Sequence, residues 1–196
     1  INSEIFTYTG VTSTTFTGVT RAQSSTSAAA HAVNNVVSES WTERDTGRSS
    51  AARYNFERFN FDGNDKLVVV DGDNAPTFFN SAMSATDITS AGSGEVSTAV
   101  TGAKFVAAFK DHMFYAGMSS TPQEIVFSVP FDEDNFATGS GAGSIKVDNT
   151  ITGLKVFRND LFIFCESRIF KLSGSSLSDF VITPVTRNIG CIDKHG

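Results

Sequence analysis

Residues 153–173 read GLKVFRNDLFIFCESRIFKLS, from Gly153 to Ser173. Leu154, Val156 and Phe157 make one apolar run, Leu161 to Phe164 a second, and Ile169 to Leu172 a third. Arg158-Asn159-Asp160 and Glu166-Ser167-Arg168 separate them as short polar turns, so the stretch reads as a three-stranded meander. Its middle strand is apolar at every residue instead of at alternate ones, the pattern of a sheet covered on both faces.

The same arrangement recurs upstream. Phe61, Phe109 and Phe157 stand 48 residues apart, and each closes an apolar stretch just before a polar turn. Each turn leads into a strongly apolar strand, at residues 67–70, 113–116 and 161–164, and then into a third strand at 77–79, 124–127 and 169–172. Weaker fourth strands are expected near 96–100, 145–147 and 181–182. A repeat of about 40–50 residues built from three or four short strands is the signature of propeller blades. One small twisted sheet cannot bury both faces alone, and stacking sheet on sheet covers them.

The expected fold class is therefore all-β. Residues 53–196 form a partial β-propeller-like array of three- to four-stranded blades, preceded by a small β-hairpin module at 1–37 and a polar linker at 38–52. A β-sandwich is the alternative. About three blades are visible, fewer than the four or so that close a ring. Residues 183–191 read as the crossing into a next blade. The chain opens on Ile1 and stops shortly after Ile192, which points to a piece of a longer polypeptide.

In the amino-terminal module, β-branched and aromatic residues at 4–9 and 14–20 flank a Gly-containing link, the pattern of a hairpin. Residues 21–27 read as a polar loop, 27–32 (SAAAHA) as a single helical turn broken at Asn34-Asn35, and Val36-Val37 as the start of a strand. The linker carries Glu39, Glu43, Arg44, Asp45 and Arg48, with Trp41 placed to pin it onto a neighbouring surface.

Composition narrows the function classes. Of 196 residues 40% are hydrophobic and 18 are Phe, enough for a true core, so the chain is globular. Charged residues make up 18%, with a net of -6 and no basic stripe, which argues against a nucleic-acid-gripping surface. A weakly acidic wall still lets a polyanion slide past. Cys165 and Cys191 lack metal-ligand spacing and read as reduced thiols. No run approaches the roughly 18 apolar residues of a membrane helix, so no membrane anchor is expected.

Motifs for chemistry are missing from this pattern. Gly139, Gly141 and Gly143 have the wrong spacing for a phosphate loop, and residues 137–144 read as a mobile Gly/Ser loop, with 91–94 a smaller example. His31, His112 and His195 stand in three unrelated settings, and no G-x-S-x-G occurs. Asp62-Gly63-Asn64-Asp65 and Asp71-Gly72-Asp73-Asn74 offer oxygen atoms for calcium, but Lys66 and Ala75 interrupt the alternation and both runs read as hairpin turns. Asp132-Glu133-Asp134 reads as a solvated turn. The expectation is a non-enzyme with no catalytic, cofactor-binding or metal residues and no cofactor.

Two stretches carry a resemblance. Glu4 to Val37, with Arg21-Ala22-Gln23, Ser27-Ala28-Ala29-Ala30-His31 and Asn35-Val36-Val37, resembles a short β-module of tailed-phage virion proteins, departing from it at Ala22 and Asn35, where that module has glycine. Gly153, Phe157, Leu161, Phe164, Ile169, Pro184, Val185 and Gly190-Cys191 resemble the blades of propeller-containing tail proteins, in particular the nozzle proteins of short-tailed phages. The resemblance implies a structural component of the virion tail that builds a ring, sixfold in that family, around a DNA channel. DNA passes through the lumen without specific binding, and adjacent tail adaptor or fibre proteins dock on the ring. A host-receptor or fibre-attachment module is the alternative, and a carbohydrate-cleaving propeller a third reading.

Overall fold

Two-residue turns with positive φ set the repeat. In the computed structural model, which describes residues 4–37, 44–89 and 94–192, Asp62 and Gly63 lie at φ 58° and 77°, Lys110 and Asp111 at 51° and 62°, and Arg158 at 56°. In the first two turns the pair of consecutive left-handed residues gives a twist that matches that of a β-hairpin, and in the third Arg158 alone has positive φ. The turns recur at the 48-residue interval. They bring Phe61 opposite Asn64, Phe109 opposite His112, and Phe157 opposite Asp160.

The chain divides into two compact units, Ile1–Glu43 and Arg44–Gly196. In the first, β1 (Ile5–Thr7), β2 (Gly10–Val11), β3 (Phe16–Thr17) and β4 (Thr20–Gln23) form a nested hairpin, with β2 paired to β3 inside and β1 to β4 outside. Gly18 is required here: at φ 62° a Cβ would lie 2.0 Å from Thr9 Oγ1. The expected helical turn at 27–32 does not form, and residues 36–37 are not a strand. Contacts to Glu4, described below, hold the alanine run open. The linker stretch 38–43 and its Trp41, residues 90–93 and residues 193–196 lie outside the described residues.

The second unit is three antiparallel meanders. The first comprises β5 (Asn55–Phe61), β6 (Asn64–Val70), β7 (Thr77–Phe79) and β8 (Ala85–Asp87). The second comprises β9 (Phe105–Phe109), β10 (His112–Ala116), β11 (Glu124–Phe127) and β12 (Gly143–Lys146). The third comprises β13 (Ile151–Phe157), β14 (Asp160–Cys165), β15 (Ile169–Ser173) and β16 (Val181–Thr186). The fold is thus all-β, five small antiparallel sheets with no closed barrel among the described residues. Its larger part is the propeller-like array of four-stranded blades.

Packing follows strand alternation. One core lies between the first and second blades, with Phe59, Phe61 and Val68 against Val106, Met113 and Tyr115. A second lies between the second and third, with Phe109, Phe114 and Phe127 against Leu161, Ile163 and Leu172. The middle blade is covered on both faces, and every residue of β10 and β11 is buried. Each fully buried Phe or Met stabilises by about 1.5–3 kcal/mol, which makes this blade the anchor of the unit.

Three expectations are corrected in this unit. The first blade's outer strand is Ala85–Asp87, not 96–100; Val96 and Val100 instead fill the core beneath the crossing to β9. The Gly/Ser run at 137–144 is not a free loop. It forms a short 3-10 turn (Thr138–Ser140), buries Ala142 and enters β12 at Gly143, where a Cβ would lie 2.7 Å from the Phe127 ring. Small side chains serve close approach there. Residues 183–186 belong to β16, and the chain then returns over the end of β14, where Cys191 N–H donates to Cys165 O at 2.8 Å.

Candidate functional site

The first strands of the three blades, β5, β9 and β13, pack next to one another and each pairs within a sheet on one side only. They enclose a trench made of two hollows of about 440 and 450 Å3 that share Phe105 and Thr152. Tyr54, Phe56, Leu154 and Phe164 give the first hollow an apolar wall, with Glu57 and Lys155 as its charged groups. The second hollow is lined by Arg53, Asp71, Lys104 and Ile192 among others.

Both carboxylates of the trench are engaged by the fold. Burial pushes the Glu57 carboxyl up from its ordinary value, against a hydrogen bond from Ala108 N–H and the nearby Lys155 charge. Glu57 thereby ties the inner strand of the first blade to that of the second. Burial also raises Asp71, but hydrogen bonds from Asn74 and Asp73 outweigh it and hold the group below its usual range. Asp71 Oδ1 accepts from Asp73 N–H at 3.0 Å and Asn74 N–H at 2.7 Å, and Oδ2 from Asn74 Nδ2 at 2.8 Å. The Asp71-Gly72-Asp73-Asn74 run is therefore a self-satisfied side-chain turn, and Asp62-Gly63 is the hairpin turn described above. Among the described residues no group of three or more His, Cys, Asp or Glu could hold a metal ion.

The acidic run at 132–134 is not a solvated turn. Glu133 is buried, its Oε1 2.5 Å from Lys66 Nζ of the first blade, and its backbone oxygen accepts from Tyr115 Oη at 3.0 Å. Lys66 also lies over the Phe78 ring. Partial burial beside Asp132 and Glu133 raises Asp134 to about 6. Sequence reasoning missed this inter-blade ion pair because Lys66 and Glu133 are far apart in the chain and neither belongs to a motif.

In the first unit, Glu4 is a buried hub. Arg21 donates to both its oxygens, at 2.8 and 2.5 Å, Ala29 N–H donates at 3.0 Å, and His31 Nε2 lies 2.6 Å away. The Arg21 guanidinium is the main cause holding the Glu4 carboxyl far below the usual range. Arg21 also reaches Ala29 O, so the alanine run is fixed through its backbone groups and cannot coil into a helix. Arg21 and His31 stood in the quoted module, and Glu4 opened it, but their spacing alone does not predict the contact. Beside them Phe6, Tyr8 and Phe16 pack at tilted and edge-to-face angles with centroids 4.8–6.5 Å apart, and a groove of about 340 Å3 is lined by Phe6, Phe16, Val19 and Arg21 among others.

The remaining candidates are dispersed. His112 is buried with Nδ1 2.6 Å from Ser128 O among Phe114, Phe127 and Phe180, His31 belongs to the first unit, and His195 lies outside the described residues. Neither cysteine is disulfide-bonded, and burial pushes the Cys165 thiol up to about 11. Arg168 pairs with Asp148 at the turn after Cys165. No helix among the described residues is long and apolar enough to cross a membrane. In comparison with known proteins, no family model and no curated sequence matches this chain.

Proposed function

We propose that the chain is a structural, non-catalytic component of a phage virion tail, building a ring around the DNA channel and docking neighbouring tail proteins. One observation carries the reading beyond the resemblance. The middle blade is covered on both faces, while the outer faces of the first and third blades present Phe56, 65% exposed, and Phe157, 59% exposed. An array that ends in apolar sheet faces is built for assembly. The carboxylates of the trench hold the fold together, as expected of a scaffold, and the net charge of -6 suits a wall past which DNA slides.

Three-dimensional reconstruction of the particle, with the chain located by an inserted tag, tests this. The expected result is a ring of copies in the tail; copies confined to the head, or none in purified particles, overturn it. The groove lined by Phe6 and Phe16 favours a second reading, a module that docks a host-surface or fibre partner. Binding of the purified chain to host cells, lost in Phe16→Ala, is the result that reading requires.

A further inference from the structure

The outer faces of the first and third blades are the two halves of one interface that the chain already makes twice. At the 48-residue offset, Phe157, Phe162 and Phe164 of the third blade occupy the positions of Phe109, Phe114 and Ala116, and Ile169, paired to Phe164 as Ile125 is to Ala116, occupies that of Ile125. Those second-blade residues are buried against the third blade. On the first blade, Leu67 and Phe79 occupy the positions of Tyr115 and Val126, which are buried against the first blade. Phe56 and Val69 extend that face. Among the described residues of the second unit, no sheet follows the third blade and none precedes the first.

We propose that a second copy of this chain supplies both, head to tail. The Phe157, Phe162, Phe164 and Ile169 face of one copy seats on the Phe56, Leu67, Val69 and Phe79 face of the other. The contact continues the blade-to-blade interface within the chain, where a cation on the leading face, Lys66, already meets the buried Glu133 beside the following sheet. Lys155 and Lys171 sit on the leading face of the third blade, Lys171 within 3.3 Å of Asp160, and the receiving face of the first carries the Arg58–Asp65 pair at 3.0 Å. A face-to-face pairing of two third blades would instead set Lys155, Arg158 and Lys171 against their own copies. The described blades of two copies number six, within the four to eight of closed propellers, and a head-to-tail contact uses one leading and one receiving face.

The inference rests on the self-association in the tail reading, yet it fails separately: particle reconstruction tests the setting, and solution variants test the contact. Light scattering of the purified chain at rising concentration is expected to show a dimer. Phe162→Glu and Leu67→Glu, each confirmed folded by circular dichroism, are each expected to weaken association about 100-fold by burying an unpaired charge. Their equimolar mixture regains a dimer, because it holds one intact pair of faces. If Phe162→Glu does not fold, Phe157→Glu at the more exposed position replaces it. A wild-type monomer at every concentration, an association untouched by Leu67→Glu, or a mixture that stays monomeric overturns the proposal.

Discussion

Ala22 lies at φ 57°, in the region that favours glycine. The left-handed conformation costs a residue with a Cβ about 1–2 kcal/mol, and part of that gain is offset by glycine's greater freedom when unfolded. Ala22→Gly is expected to stabilise the first unit by about 0.5–1 kcal/mol, read by chemical denaturation. Glu4 makes that unit acid-sensitive. Its folded-state pKa is depressed, so its contribution is present above the ordinary carboxylate range and is lost as pH falls through and below it. Acid titration followed by NMR should show the first unit losing structure before the second, and Glu4→Gln should bring that loss to neutral pH. Asp134 has the opposite sign. Raised from 3.8 to about 6, it stabilises fully below pH ~4 and loses that contribution as pH rises through about 6. Asp134→Asn should therefore raise stability at pH 7 by about 1 kcal/mol after solvent screening, and leave it unchanged at pH 4.

At the level of the element, the hairpin is the unit that was readable. Phe61, Phe109 and Phe157 disclosed the 48-residue interval, and the described strands that carry these runs start and stop within about three residues of them. Turn chemistry explains the agreement, since Asp62-Gly63 supplies a left-handed pair at low cost. Lys110-Asp111 makes the same turn with less suitable residues, and Asp111→Gly should raise the thermal midpoint, with a gain of about 1 kcal/mol. The outer strands were less legible. Ala85–Asp87 is short and half polar, so its period is hidden, whereas Val96 and Val100 are apolar because they plug a core, not because they pair in a sheet. The Gly/Ser run misled for a related reason: low bulk signals freedom in sequence, but here it allows Gly143 to approach Phe127.

For the second unit as a whole, fold was legible and site was not. Covered sheets announce themselves by unbroken apolar strands, as in HMFYA at His112–Ala116, and the middle blade is buried accordingly. The trench, by contrast, gathers Glu57, Phe105 and Lys155 from three different blades, and the Lys66–Glu133 pair spans two, so no linear spacing encodes either. Phe114→Ala in the middle blade should cost about 3–5 kcal/mol and loosen both neighbours together, seen as one cooperative transition at a lower midpoint.

Every strand of the three blades pairs only with its neighbours in the chain. A duplication of one 48-residue segment therefore inserts a complete sheet without rerouting any connection, and it recreates at the new end the same kind of face that was there before. Length of the array is in this sense a heritable variable separate from the design of the sheet. A lineage can change the number of blades by copying, and needs substitutions only to adjust the two terminal faces.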